Sequence, residues 1–511
     1  MTKILKNKHA ILILLTVIGL FLRLYHIEFG LPHSFHADEP EIVEPAIKYT
    51  YEIRNIIKNN NYYKLIPISF VYGTWPIYFN TIATMVFSKS ANLLGTSFEK
   101  YHIYIFLRIL NAVSTFAIIP IVSYLAYKLS KSTKVALLSF FLLTFNWKFI
   151  VHAHYINSDI TQTVLLCASY LTLYLFYKKS SDTKYTVFTG ILYGLAVGTK
   201  ITTLLSFPLF LYIFIVKKSY REMFAFIFIV FGIFIISNPF SMILANNFAF
   251  RVYTMFSKEA GLVFDSVDYS PFKYISALSF MVTPLVSLLS IKGLLKSVKS
   301  KTDMEFHIFL IFNVVIYLVF FSLQSRRVDR WLLPIIPIIL IYASFAISQI
   351  RYGILTFFVL GLYCYYPALL LRQFQRHTPK SYAYIWMKDN IDPATNKFSY
   401  TEEGLDPLNK LPGMRVLMMQ VYPSQNAQYF MPENVDGYDY VVTASKPMAN
   451  YKRMEVMETY PLYYERWNAW ENNLLNVAEF ELIKKFTLPK PNLINLSDVY
   501  IYKNLNVTTY K

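Results

Sequence analysis

The stretch FHADEPEIVEPAIKY places Asp38, Glu39, Glu41 and Glu44 within seven residues of a chain whose net charge is +18. A carboxylate within hydrogen-bond reach of a reacting hydroxyl can take its proton. A solvated loop, a metal site, or a helix start where acids suit the macrodipole would use the same residue types. Three other polar groups stand out: HAHYINSD, with His152, His154 and Asp159; GLAVGTK, ending at Lys200; and SRRVDR, with Arg326, Arg327 and Arg330. Arginine and lysine carry charge against a phosphate, arginine in a bidentate fork. Acids that move protons and cations that hold a leaving phosphate suit transfer from a lipid-linked phosphate, provided the fold brings them to one place.

The elements that must do so are membrane spans. Of the 511 residues, 55% are hydrophobic and 16% charged, against about 25% charged in soluble domains. Apolar runs of bilayer-spanning length recur up to residue 370 and then stop. The sequence therefore predicts an α-helical polytopic membrane domain over 1–370 and a soluble domain over 371–511. The basic balance does not indicate nucleic acid, because lysines and arginines are spread among short loops, as expected where they orient a membrane protein. Cys167 and Cys364 both lie in apolar runs, which excludes a disulfide framework or a CxxC metal site. The basic, apolar N-terminus has no convincing cleavage site and reads as a retained first helix.

With the N-terminus in the cytoplasm, the clusters at Lys128, Lys131 and Lys134, at Lys178, Lys179 and Lys184, at Lys217, Lys218 and Arg221, at Lys292 to Lys301 and at Arg351 all fall on cytoplasmic connections. The spans then lie near 10–26, 104–127, 135–151, 161–177, 186–199, 201–216, 223–240, 272–291, 306–323, 331–349 and 353–370. These eleven crossings leave the tail outside. The apolar stretch 72–95, interrupted by Gly73, Pro76 and Lys89, is expected to lie along the outer interface, since a crossing there would invert every later basic loop.

This topology gathers the acid cluster, HAHYINSD, Lys200, the NPF at 238–240 and SRRVDR on the outer face, at the depth of a lipid phosphate. Ionisable residues there default to a functional reading. Each also has a plainer role: Asp159 or Ser158 as the N-cap of the next span, Lys200 as a snorkelling residue, His152 and His154 as interface anchors, and Glu41 and Glu44 as solvated acids.

In motif order, the sequence resembles the GT-C fold glycosyltransferases of the protein O-mannosyltransferase and aminoarabinose lipid A transferase type. FHADE, HAHYINSD, GLAVGTK, NPF and RRVDRWLLPIIPIIL carry the resemblance, with SYAYIWMKDNI and YDYVVTAS in the tail. It implies a sugar moved from a polyprenyl-phosphate donor to an extracytoplasmic acceptor with inversion, in the cell membrane. Asp38 or Glu39 would be the base, with the edge to Asp38, and Asp159 the second acid. Lys200, Arg326, Arg327 and Arg330 would be the candidates for the donor phosphate, with Arg330 favoured. His36, His152 and His154 are candidate substrate contacts that also leave a divalent site open, although the resemblance implies no metal or other cofactor. A transporter or flippase for lipid-linked glycans is the competing class. It would call for paired repeats and ionisable groups near the midplane, whereas here the charges gather at one surface.

The segment from Ala245 to Asp268 reads as a long outer loop. Beyond Arg372, a helix at SYAYIWMKDN and strands at RVLMMQ, YDYVVTA and DVYIYK predict a small α/β domain.

Overall fold

The computed structural model describes residues 8–33, 36, 38–66, 73–93, 99–180, 182–256, 270–299, 302–324, 327–392, 395–401, 404–405, 415–419 and 437–506. The chain divides into two compact units, one of residues 1–27, 36–260 and 268–369, the other of residues 28–35, 261–267 and 370–511.

The first unit is helical. Its helices are α1 (Lys8–Leu24), α2 (Glu39–Lys58), α3 (Trp75–Leu93), α4 (Lys100–Ser130), α5 (Thr133–Thr144), α6 (Trp147–Ala153), α7 (Ser158–Lys178), α8 (Thr183–Thr199), α9 (Phe207–Val216), α10 (Tyr220–Ser237), α11 (Pro239–Ile243), α12 (Ala245–Phe256), α13 (Lys273–Val282), α14 (Pro284–Lys299), α15 (Met304–Ser322), α16 (Ile336–Ile347) and α17 (Gly353–Tyr363). Short 3₁₀ turns precede α9 at Ile201–Ser206 and α16 at Asp329–Ile335. Among the described residues, six helical segments are long and apolar enough to cross a membrane, or eight if each of two bent pairs is one span.

Eleven crossings were expected, and the difference lies in breaks and short helices. The 135–151 run bends by 52° between α5 and α6, where Asn146 accepts the Phe149 N–H and starts a new helix. The 272–291 run bends by 100° before Pro284, which cannot continue the α13 hydrogen bonding. Helices α1 and α8 are 17 residues each. Within the segment 72–95, Trp75–Leu93 form helix α3, packed on α2. Ala245 to Phe256, expected as loop, is helix α12; the rest of that segment lies outside the described residues.

Helix α7 is the central strut, packing on α4 and α8. Its 21 residues span about 31 Å and separate two polar ends. At its C-terminal end Lys178 pairs with Asp303, the Tyr174 hydroxyl lies 2.6 Å from the same carboxylate, and the Tyr177 hydroxyl donates to Glu305 at 2.5 Å. These bonds fasten α7 to the start of α15. Burial opposes ionisation of Asp303, but the hydrogen bonds from Lys178 and Tyr174 outweigh it and hold the carboxyl below its ordinary range. Helix α8 meets α10 along Gly190, Gly194 and Gly198, where a Cβ would press into Ile229, Ile233 and Ser237. Small residues at four-residue spacing let two backbones approach closely in a membrane.

The second unit carries α18 (Tyr365–Phe374) from residue 370, then α19 (Pro379–Asn390) and a five-stranded mixed sheet of β1 (Lys397–Thr401), β2 (Arg415–Met419), β3 (Tyr440–Ala444), β4 (Phe480–Phe486) and β5 (Val499–Asn504), in the order β2-β1-β3-β5-β4. β1 is parallel to β2 and β3, while β5 is antiparallel to β3 and β4. One face packs on α19 through Phe398, Tyr400 and Val442. The other packs on α20 (Ser445–Asn450), α21 (Met454–Thr459) and α22 (Pro461–Leu474), centred on Trp467 and Trp470. The helix and the strands at β2, β3 and β5 match the sequence expectation. β1 and β4 were not read, since in β4 Glu481, Lys484 and Lys485 break the apolar alternation.

Candidate active site

At the N-terminal end of α7, four separated stretches of chain meet. Asn157 caps the helix by accepting the Ile160 N–H at 3.0 Å, which leaves Asp159, in the first turn, to point elsewhere. One Asp159 oxygen receives Lys200 Nζ at 2.5 Å, and the other lies 3.2 Å from Arg330 Nε. Arg330 Nη2 reaches Asp38 at 3.0 and 3.1 Å. A continuous charge chain therefore runs Lys200–Asp159–Arg330–Asp38. Asp38, Asp159 and Lys200 are buried, whereas Arg330 is partly exposed.

Each member is placed by a local device. Asp38 is the N-cap of α2, yet its carboxylate accepts no capping bond and turns to Arg330. Glu39, the next residue, makes two bonds with Arg108 of α4 at 2.7 and 2.8 Å, and it also accepts the His36 and Ile156 N–H groups, both at 3.1 Å. Arg108 spends its remaining end nitrogen on the Ile27 carbonyl. This wholly buried pair ties the start of α2 to the turn before α7. Asn111, one turn along α4, holds the same turn through the carbonyls of His152, Ala153 and Tyr155 at 2.8 to 3.1 Å.

Lys200 sits at a knot where α8 ends. The Gly73 N–H donates to Thr199 O at 3.0 Å, and Asn238, of the NPF stretch, accepts the Thr74 N–H at 2.7 Å while donating to Gly198 O at 3.1 Å. A Cβ on Gly73 would overlap the Gly198 carbonyl, so only glycine fits that crossing.

The histidines divide. His36 stacks on Tyr155 and accepts the Asp38 N–H on Nδ1 at 3.3 Å, which makes it the neutral Nε2–H form. Burial pushes its pKa down, helped by Arg330 and Arg108 and opposed by Asp38 and Glu39. His154 has each ring nitrogen 2.8 Å from a backbone carbonyl, Ile150 O or Tyr25 O. His152 is buried, with neither ring nitrogen hydrogen-bonded among the described residues, and Lys148, Arg330 and Lys200 are its charged neighbours. Of the remaining predicted residues, Arg327 pairs with Asp329 at 3.1 Å and Arg326 lies outside the described residues. Glu44 is bound by Lys100 at 2.6 Å and the Tyr104 hydroxyl at 2.7 Å, and Glu41 is exposed.

Sequence reasoning missed Arg108 and Lys148. The signal for Arg108 was present, a lone arginine in the apolar run IYIFLRILNAV, the kind of residue whose burial demands a partner.

The fold is that of a class of membrane enzyme, the GT-C glycosyltransferases, as the comparisons with known proteins show. Residues 13–224 match the family described as Dolichyl-phosphate-mannose-protein mannosyltransferase. ArnT from Cupriavidus metallidurans, in the apo state and bound to undecaprenyl phosphate, matches in fold with a TM-score of 0.56 at 12% identity, over 96% of this chain and 97% of that one. The archaeal oligosaccharyltransferase AglB from Archaeoglobus fulgidus, in complex with an inhibitory peptide and a dolichol-phosphate, matches with a TM-score of 0.50 at 13% identity, over 91% of this chain and 71% of that one. No curated protein matches in sequence. The chain is a multi-pass membrane protein with the fold of the GT-C glycosyltransferases, and its residues 13–224 are similar to the mannosyltransferase family.

Proposed function

We propose that the protein moves a single sugar from a polyprenyl-phosphate donor to an extracytoplasmic acceptor, with inversion at the anomeric carbon. The observation that carries this reading is the bridging of Asp38 and Asp159 by Arg330, with Lys200 on Asp159. Two cations and two acids from distant parts of the chain share one end of the bundle. A phosphate entering there can take Arg330 and Lys200 as partners in place of the carboxylates, which leaves Asp38 to act as base.

In the reaction the acceptor hydroxyl gives its proton to Asp38 as its oxygen attacks the anomeric carbon. The bond from that carbon to the phosphate oxygen breaks, and the electron pair leaves with the polyprenyl phosphate. Arg330 and Lys200 stabilise the charge that grows on the phosphate. Asp159 holds the two cations in place before the donor arrives. Glu39 and His154, whose polar atoms are taken up inside the protein, act as positioning residues, and His36 and His152 face substrate.

The two ends of α7 support a sidedness. The acid cluster stands at its N-terminal end, and Lys178 and Lys179 stand at the other, close to Lys128 through Tyr174. With basic loops cytoplasmic, the site faces outward from the cell membrane.

The test is transfer from radiolabelled polyprenyl-phosphate sugars to a membrane extract by the reconstituted protein, with and without a chelator. Transfer by wild type and not by folded Asp38→Asn supports the reading, whereas equal transfer by both removes Asp38 from the chemistry.

A further inference from the structure

Arg330 leaves the chain from the turn Asp329–Ile335, and the residue before that turn is held from outside it. Val328 caps the turn in an extended conformation, its carbonyl accepting the Trp331 N–H at 3.1 Å. Its own N–H donates to the Tyr274 hydroxyl at 2.9 Å. Earlier in the chain, the Gln324 carbonyl accepts from Lys273 Nζ. Two consecutive side chains of α13 thus grip the approach to Arg330, one as acceptor and one as donor. A backbone N–H outside regular structure needs such a partner.

The grip depends on how firmly α13 is seated. Lys273 and Tyr274 are buried, and the Tyr274 ring centroid lies 6.1 Å from that of Phe321 on α15. At the other end of α13, the last carbonyls of a helix lack intrahelical partners. Here Asn146 Nδ2 donates to Met281 O at 3.1 Å, and Trp147 Nε1 donates to Phe280 O at 3.3 Å. The bend between α5 and α6 therefore anchors one end of a ten-residue strut, and the strut holds the Arg330 segment at its other end.

Arg330 reaches Asp38 at 3.0 Å and Asp159 at 3.2 Å. A guanidinium holds a carboxylate or a phosphate through a planar fork with fixed directions. A displaced backbone therefore weakens the contact even when the side chain is intact.

We propose that Tyr274 is a positioning residue for the donor phosphate, its hydroxyl fixing through Val328 the place from which Arg330 reaches the site. The inference rests on the glycosyl-transfer reading above, which gives the phosphate to Arg330.

The experiment is binding of radiolabelled undecaprenyl phosphate to the full-length protein in lipid nanodiscs, comparing wild type, Tyr274→Phe, Arg330→Ala and the double variant. Tyr274→Phe keeps the ring and its packing and removes only the acceptor. Its Kd should rise about two- to tenfold, the factor that one net hydrogen bond is worth. In the Arg330→Ala background, where affinity is already reduced, the same substitution should cause no further loss. Tyr342→Phe is the control: it also deletes a hydroxyl from a buried tyrosine, one 3.0 Å from His307 Nδ1, and it should bind as wild type does. A wild-type Kd in Tyr274→Phe overturns the proposal, as does an equal further loss in the Arg330→Ala background or an equal loss in Tyr342→Phe. If Arg330→Ala binds as wild type does, or wild type does not bind, the glycosyl-transfer reading falls, and this inference falls with it.

Discussion

Glu39 and Arg108 face each other through two parallel hydrogen bonds of 2.8 and 2.7 Å, and neither side chain is exposed to solvent. The pair separates the two acids of the Asp-Glu dipeptide by role. Every lone-pair direction of Glu39 that the structure fills is filled from within the protein, while Asp38, one residue earlier, turns to the cation shared with Asp159.

Removing one partner of the pair leaves the other charged and buried. Glu39→Ala and Arg108→Ala should each lower stability by about 3–5 kcal/mol, seen as a lower thermal midpoint in detergent. Arg108→Lys, which loses the fork, should fall between them and wild type. Unchanged midpoints in all three would show that the pair is dispensable.

Asp38→Asn should behave differently. It keeps size and burial but cannot accept a proton, so transfer should fall by about 10²–10⁴-fold with the thermal midpoint close to wild type. The variant should still bind undecaprenyl phosphate, because Arg330 and Lys200 remain. A loss of binding equal to the loss of turnover would assign Asp38 to the donor site instead.

The knot beside Lys200 predicts a donor-binding defect from a residue that has no place in the chemistry. Asn238→Ala strands the Thr74 N–H and the Gly198 carbonyl, at about 1–3 kcal/mol for a buried unsatisfied group. Donor KM should rise more than kcat falls, and Asn238→Asp, which keeps the acceptor for Thr74, should recover part of the loss. Gly73→Ala should be worse than Asn238→Ala, since backbone rather than a side chain must give way. Wild-type donor KM in Asn238→Ala would refute the link to Lys200.

The neutral His36 gives a pH dependence with a fixed sign. Its folded pKa lies below the ordinary value of 6.5, chiefly through burial. The favourable state is therefore fully present above about pH 6.5 and is lost as the pH falls through the lower folded value. Protonation removes the acceptor of the Asp38 N–H and places a cation beside Arg330, so transfer should decline on the acid side. His36→Gln, which has no such titration, should lose that limb of the profile. An identical acid limb in the variant would place the titration on another group.

Much of this architecture is local and was therefore legible. The length of apolar runs marks the helical unit, and their end near residue 370 marks where the spans stop. A break followed from local chemistry as well: Lys200 sits at the end of α8, between the spans expected at 186–199 and 201–216. The number of crossings was less legible, because hydropathy does not report the bends at Asn146 and Pro284.

By itself the sequence determined which residues could share a face. Helix length and loop charge alternate with the bilayer, and that alternation puts Asp38, Asp159, Lys200 and Arg330 at the same end of the bundle. Only the tertiary structure decided their partners. Asp38 and Glu39 are adjacent and chemically alike, and what separates them is that α4 delivers Arg108 to one and the Asp329–Ile335 turn delivers Arg330 to the other. Pairing in a low-dielectric interior depends on a few ångströms of separation, a distance set by helix packing.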